Sequence, residues 1–166
     1  LIAAINDPNP VLFFEHKGLY RSIYNDVSEN YFTTEIGKAA LIKEGTQLTI
    51  ISYGAPIHWV LEYLENNATI SADLIDLRTL QPLDTETIYT SVKKTGRVVI
   101  VQEDSLFGGI SSDISALINE HCFEYLDAPV KRVASLETPI PFEPSLEKQY
   151  LGKNRLEKTI KELLKY

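Results

Sequence analysis

Short apolar runs alternate with segments of helical periodicity along most of the chain. Residues 48–53 are mostly apolar and end before Gly54, which predicts a buried strand. After Pro56, a residue suited to the first turn of a helix, one apolar face recurs at helical spacing: Ile57, Val60, Leu61 and Leu64. The same criteria predict strands at 72–77, 98–101 and 130–133, and the continuous apolar run at 98–101 is typical of burial on both faces.

Three more helices are predicted from their start and stop signals. Asp84 can cap a helix that ends at Gly96. A second helix follows the glycine pair at 108–109, with Ile114, Leu117 and Ile118 on one side. The last helix begins at Asn154, where Glu157 completes a capping box, and its buried stripe is Leu156, Ile160, Leu163 and Leu164.

Two connections between these elements carry predictions of their own. Pro139, Pro141 and Pro144 predict a loop before the last helix. The apolar stretch 39–43 leads through residues 44–46 into the strand at 48–53. Because so short a turn is typical of antiparallel neighbours, we expect these two strands to form a hairpin.

The order of the elements predicts an α/β fold. Strands alternate with helices through short connections, which is typical of a parallel sheet covered by helices on both faces. With the stretch at 39–43 added, we expect a three-layer, Rossmann-like sandwich of four parallel strands and one antiparallel edge strand.

Residues 1–36 do not follow this pattern. A turn at 7–10 precedes a lone strand at 11–16, and residues 20–34 are polar and aromatic with little periodicity. We expect residues 1–36 to be the end of a preceding domain with a linker, and residues 37–166 to form the α/β domain. The chain begins with Leu1 and contains no methionine, which predicts a piece cut from a longer protein.

Composition and charge narrow the classes of function. Hydrophobic residues make up 44% and charged residues 23%, and the formal net charge of −7 argues against a nucleic-acid binder. No apolar run is long enough to span a bilayer, and the N-terminus has no secretory signal, so we expect the cytoplasm. The single cysteine, Cys122, excludes an internal disulfide and favours a small buried core residue.

Candidate chemistry lies where the parallel strands end, since ligands of open parallel sheets bind there. Glu103 and Asp104 resemble an acid/base pair, but neighbours on an extended segment point to opposite faces and cannot flank one bond. Arg78 could bind an anion or, as we favour, form a structural bridge to Asp76 or Asp84.

Three glycines and one histidine complete the candidates at the strand ends. Gly54 closes the first parallel strand, and His58 in the next helical turn is either a ligand-facing or simply a packed side chain. Gly108 and Gly109 precede a helix and could hold a phosphate, although a tight turn with close packing is favoured. No complete nucleotide-binding, hydrolase or zinc motif occurs.

A series of blocks in register resembles one enzyme family. The most specific is the stretch DLRTLQPLD at 76–84. The others lie, in order, at 7–10, 13–21, 37–39, 44–46, 53–54, 93–97, 103–104, 108–109, 126–129 and 139–141. Together they resemble the β subunit of the E1 component of 2-oxo acid dehydrogenase complexes, within the transketolase-like thiamine diphosphate enzymes.

The resemblance covers only the C-terminal part of such a subunit. It implies thiamine diphosphate-dependent oxidative decarboxylation of a 2-oxo acid, with acyl transfer to lipoyl-E2. The glutamate and histidine of the family's pyrimidine-binding domain and its diphosphate motif have no counterparts in these 166 residues. We therefore expect thiamine diphosphate with Mg in the full enzyme, but no catalytic, cofactor-binding or metal residue in this part, which would be inactive alone.

The resemblance also implies partners. These are an E1 α subunit or fused α half, a second β subunit, and the E2 subunit-binding domain, for which Asp127 and the terminal Tyr166 are docking candidates. The blocks favour a branched-chain substrate of the 2-oxoisovalerate type over pyruvate or acetoin. The alternatives are a stand-alone module that binds a small anion near Gly54, Arg78 and Gly108, or a transketolase C-terminal domain.

Overall fold

A five-stranded sheet forms the centre of the computed structural model, which describes residues 1–166. The strands are β1 (Ala40–Lys43), β2 (Leu48–Ser52), β3 (Ala72–Asp76), β4 (Val98–Ser105) and β5 (Lys131–Ser135). The helices are α1 (Ile2–Asn6), α2 (Ala55–Asn66), α3 (Thr85–Thr95), α4 (Ser111–Cys122), α5 (Pro144–Tyr150) and α6 (Lys153–Leu163). Short 3-10 turns lie at Lys17–Arg21 and Phe123–Tyr125.

The sheet has the order β1-β3-β2-β4-β5, with β1 antiparallel at one edge and the other four strands parallel. Apolar residues of α2 and α6 pack on one face, and those of α3 and α4 pack on the other. The predicted three-layer α/β sandwich is therefore confirmed. Residues 98–101 are fully buried, as their continuous apolar run indicates.

The predicted hairpin between β1 and β2 is wrong. β1 pairs with β3, and Ala40 lies opposite Asp76. Residues 44–47 cross the amino end of β3, where the N–H groups of Thr46 and Gln47 both donate to the carbonyl of Ser71. Because β2 is buried along its whole length and is already paired with β3 and β4, no free edge is left for β1.

Helix α3 follows its sequence signals closely. Asp84 caps its first turn through the N–H of Thr87, and Gly96 ends it with a left-handed φ of 67°. Asp84 also accepts the N–H of Ala39 at 3.0 Å, which fastens the entry of β1 to α3. Burial alone would raise the pKa of Asp84, but the hydrogen bonds from Ala39 and Thr87 outweigh it and lower that pKa.

Two predictions near the C-terminus are wrong. The proline-rich stretch contains helix α5, which begins at Pro144 because proline suits a first turn and Glu143 caps it. Asn154 does not cap the last helix, since α6 begins one residue earlier and the Asn154 side chain donates to the carbonyl of Lys148. The strands β4 and β5 run to Ser105 and Ser135, beyond their predicted ends.

Residues 1–36 contribute no buried residue. Residues 11–16 form no strand in this structure, so the strand predicted there is not seen. One polar contact ties the segment to the sheet, between His16 Nε2 and Glu103 Oε2 at 3.3 Å. The assignment of the segment to a preceding domain stays a prediction.

Candidate functional site

The candidate residues at the ends of the parallel strands lie along one border of the sheet, which we call the carboxyl edge. Helix α2, after β2, lies on one face of the sheet, and α4, after β4, lies on the other. The connections after β2 and β4 therefore leave this edge toward opposite faces of the sheet. Ligands of open parallel sheets bind in the crevice between two such connections. Gly54 precedes α2 with a φ of 62°, a conformation that glycine adopts without strain.

Arg78 is exposed beside β3 and forms no ion pair with Asp76 or Asp84. Its backbone N–H donates to Asp76 Oδ1 at 3.1 Å, and its φ of 54° is left-handed. The favoured structural bridge is therefore wrong, because the Asp84 carboxylate is occupied by the cap of α3 and by Ala39. Burial raises the pKa of Asp76, against the opposing influence of Arg78 and His58.

Glu103 and Asp104 are the sixth and seventh of the eight residues of β4, and their side chains make separate contacts. Glu103 meets His16, whereas Asp104 Oδ1 accepts the N–H of Ser105 at 2.7 Å. Burial raises the pKa of the Tyr53 hydroxyl, and the charges of Asp104 and Glu103 raise it further. No hydrogen bond joins the two carboxylates, and as neighbours on an extended strand they point to opposite faces of the sheet.

The two glycines before α4 have different roles. Gly108 has a φ of 74° and open space where a side chain would begin. A Cβ atom on Gly109 would lie 1.9 Å from Gln102 Nε2, so this glycine makes room for the glutamine. Gln102 Oε1 accepts the N–H of Ser111 at 2.9 Å, which occupies the start of the helix. The close-packing interpretation is confirmed for Gly109.

A thiamine diphosphate group does not fit the carboxyl edge. A diphosphate needs free N–H donors and cations, but the N–H of Ser111 is already bonded to Gln102. The charged groups nearest the ends of β3 and β4 are mainly carboxylates: Asp76, Glu103 and Asp104. The same charges disfavour the alternative of a small-anion module near Gly54, Arg78 and Gly108.

His58 is half-buried in the first turn of α2, close enough for its charge to act on Asp76. Cys122 is buried in the core, as predicted, and burial raises the pKa of its thiol. No group of three or more histidine, cysteine or carboxylate side chains could hold a metal ion. None of the helices combines the length and the apolar character needed to cross a bilayer.

The docking candidates lie apart from this edge. Asp127 precedes β5, and its N–H donates to the carbonyl of Gly96 at 2.8 Å, just before β4 begins. Its carboxylate is 3.8 Å from Arg97 Nη1 and largely exposed. Tyr166 is also exposed, and no hydrogen bond or ion pair joins it to Asp127. Asp127 thus lies at the amino ends of the strands, opposite the carboxyl edge.

Two polar arrangements were not anticipated from the sequence. Gln102 joins β4 to the start of α4 through Ser105 and Ser111. Asp73, fully buried in β3, accepts hydrogen bonds from Gly45, Ser91 and Lys94. A polar residue within an apolar strand was the available signal in both cases, because such a group must find partners inside the protein.

Residues 37–155 match the family described as transketolase, C-terminal domain, and the chain belongs to that family. It is 43% identical to the 2-oxoisovalerate dehydrogenase subunit beta of Bacillus subtilis (strain 168), over all of this chain and 52% of that protein. It is 48% identical to the pyruvate dehydrogenase E1 component subunit beta of the same organism, over 86% of this chain and 44% of that protein.

The solved structures give the same fold assignment. A structure titled "Split gene transketolase, inactive beta4 tetramer" matches with a TM-score of 0.68 and 26% identity, over 85% of this chain and 46% of that one. The resemblance to E1 β subunits predicted from the sequence blocks is confirmed. The chain spans about half the length of the curated relatives it matches.

Proposed function

We propose that the chain is the C-terminal part of an E1 β subunit in a 2-oxo acid dehydrogenase complex. The observation that carries this proposal is the kind of relative it matches. Beta subunits named for 2-oxoisovalerate, for pyruvate and for acetoin align with 85–100% of the chain at 39–48% identity. The chain would thus act in thiamine diphosphate-dependent oxidative decarboxylation with acyl transfer to lipoyl-E2.

Within that enzyme, this part serves assembly and docking and is inactive alone. Thiamine diphosphate with Mg supplies the decarboxylation chemistry when it is bound. The carboxylates at the carboxyl edge do not suit a diphosphate, which supports placing the cofactor on the rest of the enzyme. The partners are the α subunit or fused α half, a second β subunit and the E2 subunit-binding domain.

A branched-chain substrate of the 2-oxoisovalerate type is our proposal for the full enzyme. The 2-oxoisovalerate subunit of Bacillus subtilis is 43% identical over the whole chain, and the pyruvate subunit of Staphylococcus aureus (strain Mu50 / ATCC 700699) is 40% identical over the whole chain. Turnover by the assembled enzyme should be faster with 2-oxoisovalerate than with pyruvate. Faster turnover of pyruvate contradicts this choice of substrate.

Residues 1–36 are proposed to be the end of a preceding domain, followed by a linker, and to pack against the rest of that domain. Thirteen of these residues are large apolar side chains that are exposed: Leu1, Ile2, Ile5, Val11, Leu12, Phe13, Phe14, Tyr20, Ile23, Tyr24, Val27, Tyr31 and Phe32. So many exposed large apolar side chains within 36 residues are unusual for a soluble protein, which supports a second surface that covers them.

Removal of residues 1–36 should leave the α/β domain folded. The segment has no buried residue and one polar contact with the sheet, so little stability is lost with it. The truncated chain should keep its cooperative urea transition and bind less of the dye ANS than the full chain. Loss of the transition, or unchanged dye binding, contradicts a separate segment with its own covering surface.

Docking to E2 tests the proposed function directly. Isothermal titration calorimetry of the chain with an E2 subunit-binding domain should show binding that weakens as salt is raised, because the contact is between charges. Asp127→Asn and deletion of Tyr166 should each weaken it roughly tenfold, as expected for a charge contact at an interface.

The controls separate docking from general charge effects. Glu124→Gln removes an exposed charge three residues before Asp127 and should leave the affinity unchanged. A parallel titration with thiamine diphosphate and Mg should give no heat. Tight cofactor binding by these residues alone, or no binding of any E2 subunit-binding domain, contradicts the proposed function.

A further inference from the structure

The carboxyl edge carries a cleft that the proposed function does not use. It opens between the end of β4 and the chain that follows β5, with a volume of about 400 Å³. Six residues that line it carry the argument: Asp104, Phe107, Leu136, Glu137, Pro139 and Tyr150. We call this feature the edge cleft. It lies at the carboxyl ends of the strands, whereas Asp127 lies at their amino ends.

Large apolar side chains surround the edge cleft and are open to solvent. Phe107 is 86% exposed and Leu136 is 43% exposed. Ile140 and Phe142, which lie one and three residues after the lining residue Pro139, are more than half exposed. Exposed apolar groups gathered around a concave site mark an interaction surface, because isolated domains rarely leave them together in water.

The charged side chains that line the edge cleft are both carboxylates. Glu137 Oε1 accepts the backbone N–H of Phe107 at 3.2 Å, which places this carboxylate beside the backbone of Phe107 at the cleft. Asp104 is the second carboxylate that lines the cleft. Nearby Arg132 and Arg155 lie half-buried below the surface and donate to the carbonyls of Leu106, Ala134 and Tyr150.

We infer that the edge cleft docks a protein segment that places an apolar side chain between flanking lysines or arginines. The apolar side chains of the cleft would contact the apolar side chain of such a segment, and the carboxylates of its rim would attract the flanking cations. A second copy of this chain is a poor occupant, because its formal net charge is −7 and would be repelled by an acidic rim. The inference stands on the cleft alone and does not require the proposed function.

A pair of synthetic peptides tests this inference. One carries leucine and phenylalanine between pairs of lysines, and its twin carries glutamates in place of the lysines. With the ¹⁵N-labelled chain, the lysine peptide should shift the amide signals of Phe107, Leu136 and Glu137, and the glutamate peptide should not. Shifts that map elsewhere, equal binding of the twin, or no binding of the lysine peptide would overturn the inference.

Variants separate the apolar and the charged contributions. Phe107→Ala should weaken the lysine peptide roughly tenfold through lost apolar contact. Asp104→Asn with Glu137→Gln keeps both hydrogen-bond acceptors and should weaken it about fivefold, as expected for exposed charge pairs. Phe123→Ala and Glu124→Gln are matched controls at the far end of α4, where Phe123 is 74% exposed, and should change nothing. Equal effects of the cleft and control variants also contradict the inference.

Discussion

Gly45→Ala is expected to lower the free energy of unfolding by roughly 3 kcal/mol, the upper end of the range for overpacked sites. Gly45 lies where the chain crosses from β1 to β2 over the amino end of β3. A Cβ atom there would come within 2.4 Å of the backbone N and C atoms of Ala72. Backbone atoms of a sheet cannot move aside as a flexible side chain can, so the crossing itself must shift. Urea denaturation, with the midpoint and slope fitted together, measures the loss.

Gly54→Ala is the matched control for that substitution. Gly54 has a φ of 62° and no heavy atom within 4 Å of its Cβ position. The variant therefore pays only the strain of an alanine at this positive φ, about 1–2 kcal/mol. Gly45 is not among the glycines with a positive φ, so a loss no larger than that of Gly54→Ala would show that the close approach to Ala72 does not make Gly45 necessary.

Asp73→Ala is expected to cost about 3 kcal/mol, because it removes one member of a buried, hydrogen-bonded charge pair. The Asp73 side chain is 1% exposed, and Lys94 Nζ lies 2.7 Å from it. The carboxylate also accepts the N–H of Gly45 at 2.8 Å and the hydroxyl of Ser91 at 2.6 Å. Lys94 is 43% exposed and regains water, but the N–H of Gly45 is left buried without a partner. Thermal and urea unfolding measure the loss.

Two comparisons make the Asp73 result specific. Glu62→Ala breaks an equally short ion pair with Lys153, at 2.6 Å, but both side chains are largely exposed and the loss should stay below about 1 kcal/mol. The double variant Gly45→Ala with Asp73→Ala should cost less than the sum of the two, since both act on one crossing. Additive losses, or a Glu62→Ala loss as large as that of Asp73→Ala, contradict this account.

Local pattern was enough to predict the layers of the fold. The helical spacing of Ile57, Val60 and Leu64 defines the buried face of α2, and the apolar run at 98–101 defines a strand buried on both sides. The partner of β1 could not be predicted in this way. Its position depends on Asp73 and Ser71 holding residues 44–47 from a distance along the chain, which a turn-length rule does not contain.

The candidate site was predictable in location but not in detail. The strand ends do lie along one edge, yet nothing in the sequence distinguishes Gly108, with open space beside it, from Gly109, which faces Gln102. Arg78 and Asp84 are close in sequence, but Asp84 is engaged by Ala39, which lies far from it along the chain. Hydrogen bonds between distant segments decided both outcomes.

β1 pairs with β3 and not with β2, the next strand along the chain, and this has a consequence for the protein during its synthesis. β1 and β2 leave the ribosome in succession, but neither is the neighbour of the other in the finished sheet. Until Ala72–Asp76 has been made, the nascent chain holds two apolar strands with open edges and no native partner. Such edges pair readily with other chains. The emergence of β3 gives both strands a native partner at once, but the second edge of β2 is covered only when β4 has been made.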